Sequence, residues 1–516
     1  MPVGSNSRVY LQGRYEVQLF DSWGVAQPTF SDCGGIYQRW IEAENRGYEG
    51  VPPRVNACRA PGLWQRLHIV FQAPRFDASG AKTANARFVE VALNGFVIHE
   101  NVEVTGPTRG AEFDDERALA PLVIQGDHGP VALRRIATKH FKSHKVSLSD
   151  LACAVRRGAK LRIGDYDGVA PDLTPAVTEI DPPNLGVANN FAATYTGRMH
   201  LPAAGVYAFH ATGRFPVRLI VDDQTVVLLV EVGGRGMPVQ LAAGAYPFRL
   251  DYAHGEWGSS AIQISVEGPG LRMQTLAPAP APSPNANQNP TEMIIEPFEG
   301  RVRTQRCFTP FEPRKRLYTI AVGSPAGVHY AYDFDTAALL HVWSGRFLDT
   351  IEFWKERAEN QYGIPAGPRL TLPGKPVVSL LESSRHDFPD VPDVLWSPQG
   401  YTLEADGQPV FLARLSGLSI RDRVVATKPS RGLSRTLFIE GKHTLWRTGV
   451  LLAESVRITA EPGGGSFIIG DREYYLDVPR DAEPAPFVRP INGHDQLLVL
   501  VPAFAGSTTI AYTLVW

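Results

Sequence analysis

The chain has 516 residues, of which 44% are hydrophobic and 20% are charged, and its formal net charge is −2. This length predicts about three domains of ordinary size. The balanced charge argues against nucleic acid as the main partner, because no basic excess exists to neutralise phosphates. We also expect no membrane span, because no uninterrupted apolar run reaches about 18 residues.

The first region, residues 1–145, consists of alternating apolar and polar runs. One such run is RYEVQLFD (Arg14–Asp21), and Asn94-Gly95 separates two others. Asn-Gly between alternating runs predicts a two-residue β-hairpin. The abundance of glycine (48) and proline (42) is typical of many short strands joined by tight turns.

The rest of the chain also alternates between apolar and polar residues. The segment LSDLACAVRRGAK within residues 147–160 predicts a short helix or an inter-domain crossover, and residues 160–275 alternate with period two. The stretch APAPAPSPNANQNP (Ala277–Pro290) predicts an extended linker. Residues 295–516 are again strand-like, and only Asp349–Gly363 resembles a helix. We therefore predict an all-β protein of three consecutive β-sandwich or jelly-roll-like domains with few helices.

The four cysteines form no metal or haem motif, because none lies in a CxxC pair. Two interpretations of Cys33 and Cys58 remain open. They form a disulfide if the compartment is oxidising, or they are buried free thiols.

The strand predicted at Arg14–Asp21 carries two polar side chains on one face. Successive strand residues point to opposite faces, so Glu16 and Gln18 share a face. Burying them without partners would cost a few kcal/mol. This face is therefore either solvated or a polar binding surface.

A series of segments in the first region resembles the 3-keto-disaccharide hydrolase domain family in order, spacing and residue type. The resemblance implies a concanavalin-like β-sandwich. Family members carry a further stretch before the LQGRYEVQ strand, so we expect this domain to be incomplete. The matching segments are Val9–Gly24, Cys33–Gln38, Val55–Cys58, Pro61–Gly80, Ala86–Thr108 and Leu122–Ile136.

The resemblance implies substrates in which C3 of a sugar is oxidised to a ketone. Such a ketone acidifies the C2 proton, so a base can remove it and the C1 substituent can leave by elimination. Water can then add, which gives net glycoside cleavage. The site needs a base, a proton donor for the leaving oxygen, and a cation, metal or N–H donor for the enolate.

Several side chains are candidates for these roles, and their assignment rests on this resemblance and on residue type. The catalytic candidates are Glu16 and His128. No metal ligand is identified, and binding of a divalent metal stays open. The substrate-binding candidates are Gln18, Tyr37, Trp64, Gln125 and Asp127.

Each candidate also has a structural interpretation. Trp64 would be a core aromatic residue, Asp127 a turn former, and His128 a hydrogen-bonded structural histidine. We expect His99, in the run VIHENV, to be an exposed strand residue.

The second region, over residues 165–270, resembles a protective-antigen-like β-sandwich domain. Some members bind calcium and sugar through adjacent aspartates in one loop, but the corresponding loop here, ATGRFPVRL, has no acidic pair. Asp222-Asp223 lies one strand later. A structural spacer or a weak sugar binder is therefore favoured over a calcium lectin. The matching segments are Asp165–Thr174, Phe191–Gly213, Val217–Val227 and Leu241–Trp257.

The third region resembles β-sandwich segments of large secreted bacterial proteins. His329, His341, Trp343 and Asp349 are concentrated in a short span, where they line either a ligand cleft or the core and its rim. We assign no chemistry to this region.

The sequence thus supports two functions from different classes. The first is a carbohydrate-active hydrolase or lyase that cleaves 3-keto-glycosides, with a glycoside or oligosaccharide as partner. The second is a non-catalytic carbohydrate-binding or surface-assembly protein. An ordinary two-carboxylate glycosidase is disfavoured, because Asp21 lies on the strand face opposite Glu16. The domain types indicate a periplasmic or secreted protein, although no signal peptide is visible.

Overall fold

The structure is a computed structural model that describes most of the 516 residues. The all-β prediction is confirmed, because the chain is 51% strand and the described residues contain no helix of seven or more residues. None of the described helices is long and apolar enough to cross a membrane. The residues outside the description are 142–143, 159–161, 214, 230–233, 236–237, 257–259, 261, 278–291, 355–360, 384–385, 428–431, 444–446 and 502–503.

The chain packs as two compact units, which are Met1–Leu133 with Pro290–Trp516, and Arg134–Asn289. The first and third predicted regions therefore share one unit. The division into three domains stays a prediction, and nearly all of the predicted linker Ala277–Pro290 lies outside the described residues.

In the first region, the residues that the structure describes form ten strands and one short 3₁₀ helix, Glu42–Glu44. The sheets have the orders β10-β1-β2, β3-β4, β5-β8-β9 and β6-β7. The strands are β1 (Asn6–Leu11), β2 (Tyr15–Phe20), β3 (Arg39–Ile41), β4 (Arg46–Tyr48), β5 (Leu67–Gln72), β6 (Arg75–Phe76), β7 (Lys82–Ala84), β8 (Ala86–Leu93), β9 (Phe96–Val104) and β10 (Val123–Ile124).

Two tight hairpins organise this region. Asn94 (φ 54°) and Gly95 (φ 83°) join β8 to β9, which confirms the predicted hairpin. Gln12 and Gly13 also have positive φ angles, and they lie in the three-residue loop 12–14 that joins β1 to β2. The core beneath these strands is apolar. Cys33 contributes to it, and both Cys33 and Cys58 are buried free thiols.

The second unit is a sandwich of two sheets around one core. One sheet has the order β11-β12-β18-β14-β15; the other has the order β16-β13-β19-β20, and β17 pairs with β13. A 3₁₀ helix spans Pro182–Asn184. The strands are β11 (Ser147–Arg157), β12 (Phe191–Leu201), β13 (Gly205–Gly213), β14 (Val217–Val221), β15 (Gln224–Leu229), β16 (Gly234–Arg235), β17 (Val239–Leu241), β18 (Gly244–His254), β19 (Ile262–Gly268) and β20 (Leu271–Thr275).

The prediction of a helix or crossover near residues 147–160 is wrong. Residues Ser147–Arg157 form β11, which pairs with β12 along its length. Cys153 and Val155 point into the core while their neighbours do not, so the period is two. A register shift between Ser149 and Ala152 interrupts that period and obscures it in the sequence.

The described residues of the C-terminal region, 292–516, form four sheets. Their orders are β21-β26-β27, β22-β23-β24-β25-β28, β29-β34-β39-β38 and β30-β31-β32-β33-β40-β37-β36-β35. The strands are β21 (Ile294–Ile295), β22 (Arg303–Thr309), β23 (Arg316–Gly323), β24 (Val328–Asp333), β25 (Leu339–Ser344), β26 (Leu348–Asp349), β27 (Ile364–Pro365), β28 (Arg369–Thr371), β29 (Val378–Leu381), β30 (Trp396–Leu403), β31 (Pro409–Leu415), β32 (Leu418–Ala426), β33 (Leu433–His443), β34 (Arg447–Ser455), β35 (Ile458–Ala460), β36 (Ser466–Ile469), β37 (Tyr474–Asp477), β38 (Phe487–Ile491), β39 (His494–Val501) and β40 (Phe504–Val515).

The one helix predicted in this region, Asp349–Gly363, is described only in part. It contains the 3₁₀ turn Ile351–Phe353, and residues 355–360 lie outside the description. The clustered His329, His341 and Trp343 are buried, which favours the core interpretation. His329 Nε2 lies 2.9 Å from the carbonyl oxygen of Gly345.

Candidate functional site

One face of the sheet formed by β10, β1 and β2 is polar although it is buried. Tyr15 and Val17 of β2 pack into the apolar core, so the alternate residues Glu16 and Gln18 face the other way. In the antiparallel register, Tyr10 pairs with Glu16 and Arg8 pairs with Gln18. Paired residues share a face, so these four side chains lie together.

Glu16 is the most unusual group on this face, because its side chain is 0% exposed. Nε of Arg8 forms an ion pair with Oε1 of Glu16 at 3.2 Å, although no contact to either carboxylate oxygen has good hydrogen-bond geometry. Burial raises the pKa of Glu16 to about 7, and the positive charge of Arg8 and the neighbouring hydroxyl of Tyr10 oppose that rise. A carboxyl with this pKa can exchange a proton near neutral pH.

The third strand and the turn after it bring a histidine to the same sheet. The backbone N–H of Gln125 donates to the carbonyl of Arg8 at 3.0 Å. Nδ1 of His128 lies 3.2 Å from Nε2 of Gln125 and 2.9 Å from Oδ2 of Asp127. Hydrogen bonding to His128 lowers the pKa of Asp127. Asp127 and His128 are exposed, so this turn is open to solvent.

Tyr37 lies beside the same arginine. The guanidinium carbon of Arg8 is 5.4 Å from the centre of the Tyr37 ring. The backbone N–H of Tyr37 donates to the carbonyl of Glu16 at 3.2 Å. The ring is half-buried and packs edge-on against Phe30, so its position is fixed by neighbours on both sides.

We call Arg8, Tyr10, Glu16, Gln18 and Gln125 the polar strip. Several of its buried atoms have no hydrogen-bond partner. Leaving such atoms unpaired costs free energy, and either water or a polar ligand can satisfy them. The unpartnered atoms are Arg8 Nε, Glu16 Oε1 and Oε2, Gln18 Oε1 and Gln125 Oε1.

Residues 1–139 match the family model of the 3-keto-alpha-glucoside-1,2-lyase-like domain. Residues 168–273 match the model of the PA14 domain. Both resemblances drawn from the sequence are therefore confirmed. The lyase-like domain suggests a carbohydrate-active role, and PA14 domains are carbohydrate-binding-like.

Comparison with solved structures adds little. An anti-sigma factor domain-containing protein from Clostridium clariflavum is 12% identical with a TM-score of 0.22, and the match covers 54% of this chain and 79% of that one. Another anti-sigma factor domain-containing protein is 10% identical with a TM-score of 0.21, covering 53% and 97%. Scores this low carry no argument about the fold. No curated protein matches the chain significantly.

Within the lyase-like domain, two residues considered in the sequence lie in other settings. The backbone N–H of Trp64 donates to the carbonyl of Arg472, so this segment lies against the C-terminal region. A role for Trp64 in substrate binding stays a prediction. Asp21 accepts hydrogen bonds from the backbone N–H groups of Gly4 and Trp23, which is typical of a turn.

The expectation that His99 is exposed is wrong. Its side chain is 3% exposed, and Nε2 lies 2.8 Å from the carbonyl oxygen of Gly34. Burial lowers the pKa of His99, so it is held as a neutral structural residue.

Sequence reasoning missed Arg8, the only basic member of the polar strip. A signal for it exists, because a three-residue turn that contains Gly13, residues 12–14, separates the two strands. Such a turn fixes the register of the two strands. Counting outward from it pairs Tyr10 with Glu16 and Arg8 with Gln18.

Among the described residues, no set of three metal-ligand side chains occurs at the polar strip. The one such set in the described part of the chain lies in the C-terminal region. It consists of Asp387, Glu454 and His494, whose ligand atoms lie within 4.8 Å of one another. Lys375 and Gln496 already donate to these carboxylates, at 2.7–2.9 Å.

Proposed function

We propose that the lyase-like domain cleaves 3-keto-glycosides and that Glu16 is the base that removes the C2 proton. The observation that carries this proposal is the buried Glu16 carboxyl, whose pKa is about 7, beside Arg8. A base is most effective when its pKa lies near the working pH. Burial also strengthens its interactions with a bound substrate, because little water is present to screen them.

The reaction balances without an oxidant or a reductant. Glu16 takes the C2 proton, and the electron pair of the C–H bond moves toward the C3 ketone. The C1–O bond then breaks, and the leaving oxygen takes a proton from an acid. Addition of water to the resulting double bond would complete net hydrolysis.

Arg8 and His128 are suited to the two remaining roles. The guanidinium of Arg8 places a positive charge beside Glu16, and this charge can stabilise the oxygen of the enolate. His128 is exposed, and its Nδ1 lies 2.9 Å from Oδ2 of Asp127, so we assign it the role of the acid for the leaving group. Gln18, Tyr37 and Gln125 would orient the sugar.

A non-catalytic sugar-binding protein is the second candidate. The match of residues 168–273 to the PA14 domain favours it, because this domain type is carbohydrate-binding-like. Both candidates use a sugar as ligand and differ only in whether a bond is broken. For either one, we propose a periplasmic or secreted location, since such domains are typically extracellular.

The test is incubation of the whole chain with a 3-keto-glucoside that carries a chromogenic aglycone, with and without a divalent metal ion. We expect release of the aglycone by the natural chain and a loss of about 100-fold or more in Glu16→Gln. Glu100→Gln is the matched control, because Glu100 is an exposed glutamate of β9. Equal rates in the two variants, or no release under either condition, would reject the enzyme proposal.

A further inference from the structure

The PA14-matching unit contains a cavity of about 390 Å³. Its floor is the outer face of the sheet, where Ala152 pairs with Thr196, and Ala154 with Thr194. The neighbouring residues Cys153 and Tyr195 point into the core on the opposite face. Small side chains on β11 thus leave room above the sheet.

Residues 166–175, the covering segment, form the other wall of this cavity. Nε of Arg156 donates to the carbonyl of Val169 at 2.8 Å, which ties the segment to β11. Asp167 forms ion pairs with Arg249 on β18 and with Arg218 on β14. Because it is attached at both sides, the covering segment crosses the sheet face and forms one wall of the cavity, which remains open to solvent.

The charges around the cavity do not cancel. Asp251, which is 0% exposed, accepts from Arg218 at 2.7 Å and from Arg249 at 2.8 Å, and Asp167 contacts the same two arginines. Two carboxylates thus face two guanidinium groups. Arg156 is a third guanidinium, and no carboxylate of the described residues forms an ion pair with it. The lining therefore has a positive charge in excess.

Two buried donors in this lining have no partner. Nη1 of Arg156 is buried without a hydrogen bond, and so is the hydroxyl of Tyr166. The side chain of Tyr166 is 1% exposed, and its ring lies 5.6 Å from the guanidinium carbon of Arg156. Two neighbouring unpaired donors, one of them cationic, are complementary to an anionic acceptor with two oxygens.

We propose that this cavity binds a small carboxylate of monosaccharide size, with Arg156 and Tyr166 as the groups that recognise the carboxylate. A uronic acid has this chemistry, and its hydroxyls would face the hydroxyl of Thr196 and the covering segment. Rotation of either donor side chain toward the ligand is the kind of change that commonly accompanies binding. The site lies in the second unit, so it is separate from the proposed catalytic function.

The experiment is calorimetric titration of the whole chain with glucuronate, and with glucose as the neutral sugar of the same size. We expect saturable binding of glucuronate at concentrations up to about 10 mM, and at least tenfold weaker binding of glucose. Acetate separates recognition of the carboxylate alone from recognition of the sugar acid. We expect acetate to bind more weakly than glucuronate.

Three variants locate the site. Arg156→Gln and Tyr166→Phe each remove one donor, and we expect each to weaken glucuronate binding about tenfold or more. Ala152→Trp should abolish binding, because Ala152 is an exposed residue of the cavity floor that a large ring would cover. Arg157→Gln is the matched control, since Arg157 is the exposed neighbour outside the lining.

The thermal unfolding midpoint of each variant separates lost binding from lost folding. The proposal is overturned if glucuronate does not bind the natural chain, if glucose binds as well as glucuronate, or if Arg156→Gln and Arg157→Gln have the same effect. Aglycone release in the enzyme assay should be unchanged in all these variants, because the polar strip belongs to the other unit.

Discussion

At the scale of single residues, the ionisation of Glu16 links stability to function. Burial raises the pKa of Glu16 from 4.5 to about 7, so the folded protein keeps a proton between these values that the unfolded chain has lost. The stability from this protonated carboxyl is complete below about pH 4.5 and is lost as the pH rises through about 7. The deprotonated form that a base requires is thus the less stable one.

Glu16→Gln should therefore change the pH dependence of stability. Glutamine mimics the protonated carboxyl at every pH. The free energy of unfolding of the variant, relative to that of the natural chain, should therefore increase by on the order of 3 kcal/mol as the pH rises from about 5 to about 8. Denaturant unfolding at the two pH values measures this difference. Glu100→Gln should show no such gain. The same difference for Glu16→Gln at both pH values would contradict burial as the cause of the raised pKa.

His128 allows function to be separated from stability, because its side chain is 49% exposed. If it protonates the leaving oxygen, His128→Gln should lower the rate of aglycone release about 100-fold. The free energy of unfolding should change by less than about 0.5 kcal/mol, as for most surface substitutions. His68→Gln is the control, since His68 is also exposed and lies on β5. An unchanged rate in His128→Gln would remove it from the mechanism.

At the scale of secondary structure elements, local signals in the sequence predicted strands and turns better than they predicted contacts. The alternation of Arg14–Asp21 predicted that Glu16 and Gln18 share a face, and the register confirms it. The ion pair with Arg8 needed the pairing of two strands, which no single strand reveals. His99 was misjudged for the same reason, because its partner Gly34 is distant in sequence.

The β8–β9 turn provides a test at this scale. Gly95 has φ 83°, and a Cβ built on it would meet no atom within 4 Å. Gly95→Ala should therefore cost about 1 kcal/mol of unfolding free energy through backbone strain alone. Gly126→Ala is the control, because a Cβ there also meets open space and the residue has no left-handed φ. Equal effects in the two variants would exclude strain as the cause.

At the scale of the whole molecule, the first and third sequence regions are joined by packing rather than by chain order. Nε1 of Trp23 donates to the carbonyl of Trp516 at 2.9 Å, and the hydroxyl of Tyr475 donates to the carbonyl of Pro61 at 3.1 Å. These contacts connect residues more than 400 positions apart. Composition and periodicity could divide the chain into regions, but they could not show which regions pack together.

This packing predicts two thermal unfolding transitions rather than three. Ile98 in the first region and Leu497 in the C-terminal region are both fully buried within one unit, and Ile264 is buried in the other. Replacing any of them by alanine should cost about 2–5 kcal/mol. In differential scanning calorimetry, Ile98→Ala and Leu497→Ala should lower the same transition, and Ile264→Ala should lower only the other. If Ile98→Ala and Leu497→Ala shifted separate transitions, the two regions would be independent folding units. Packing against the C-terminal region would then not stabilise the polar strip.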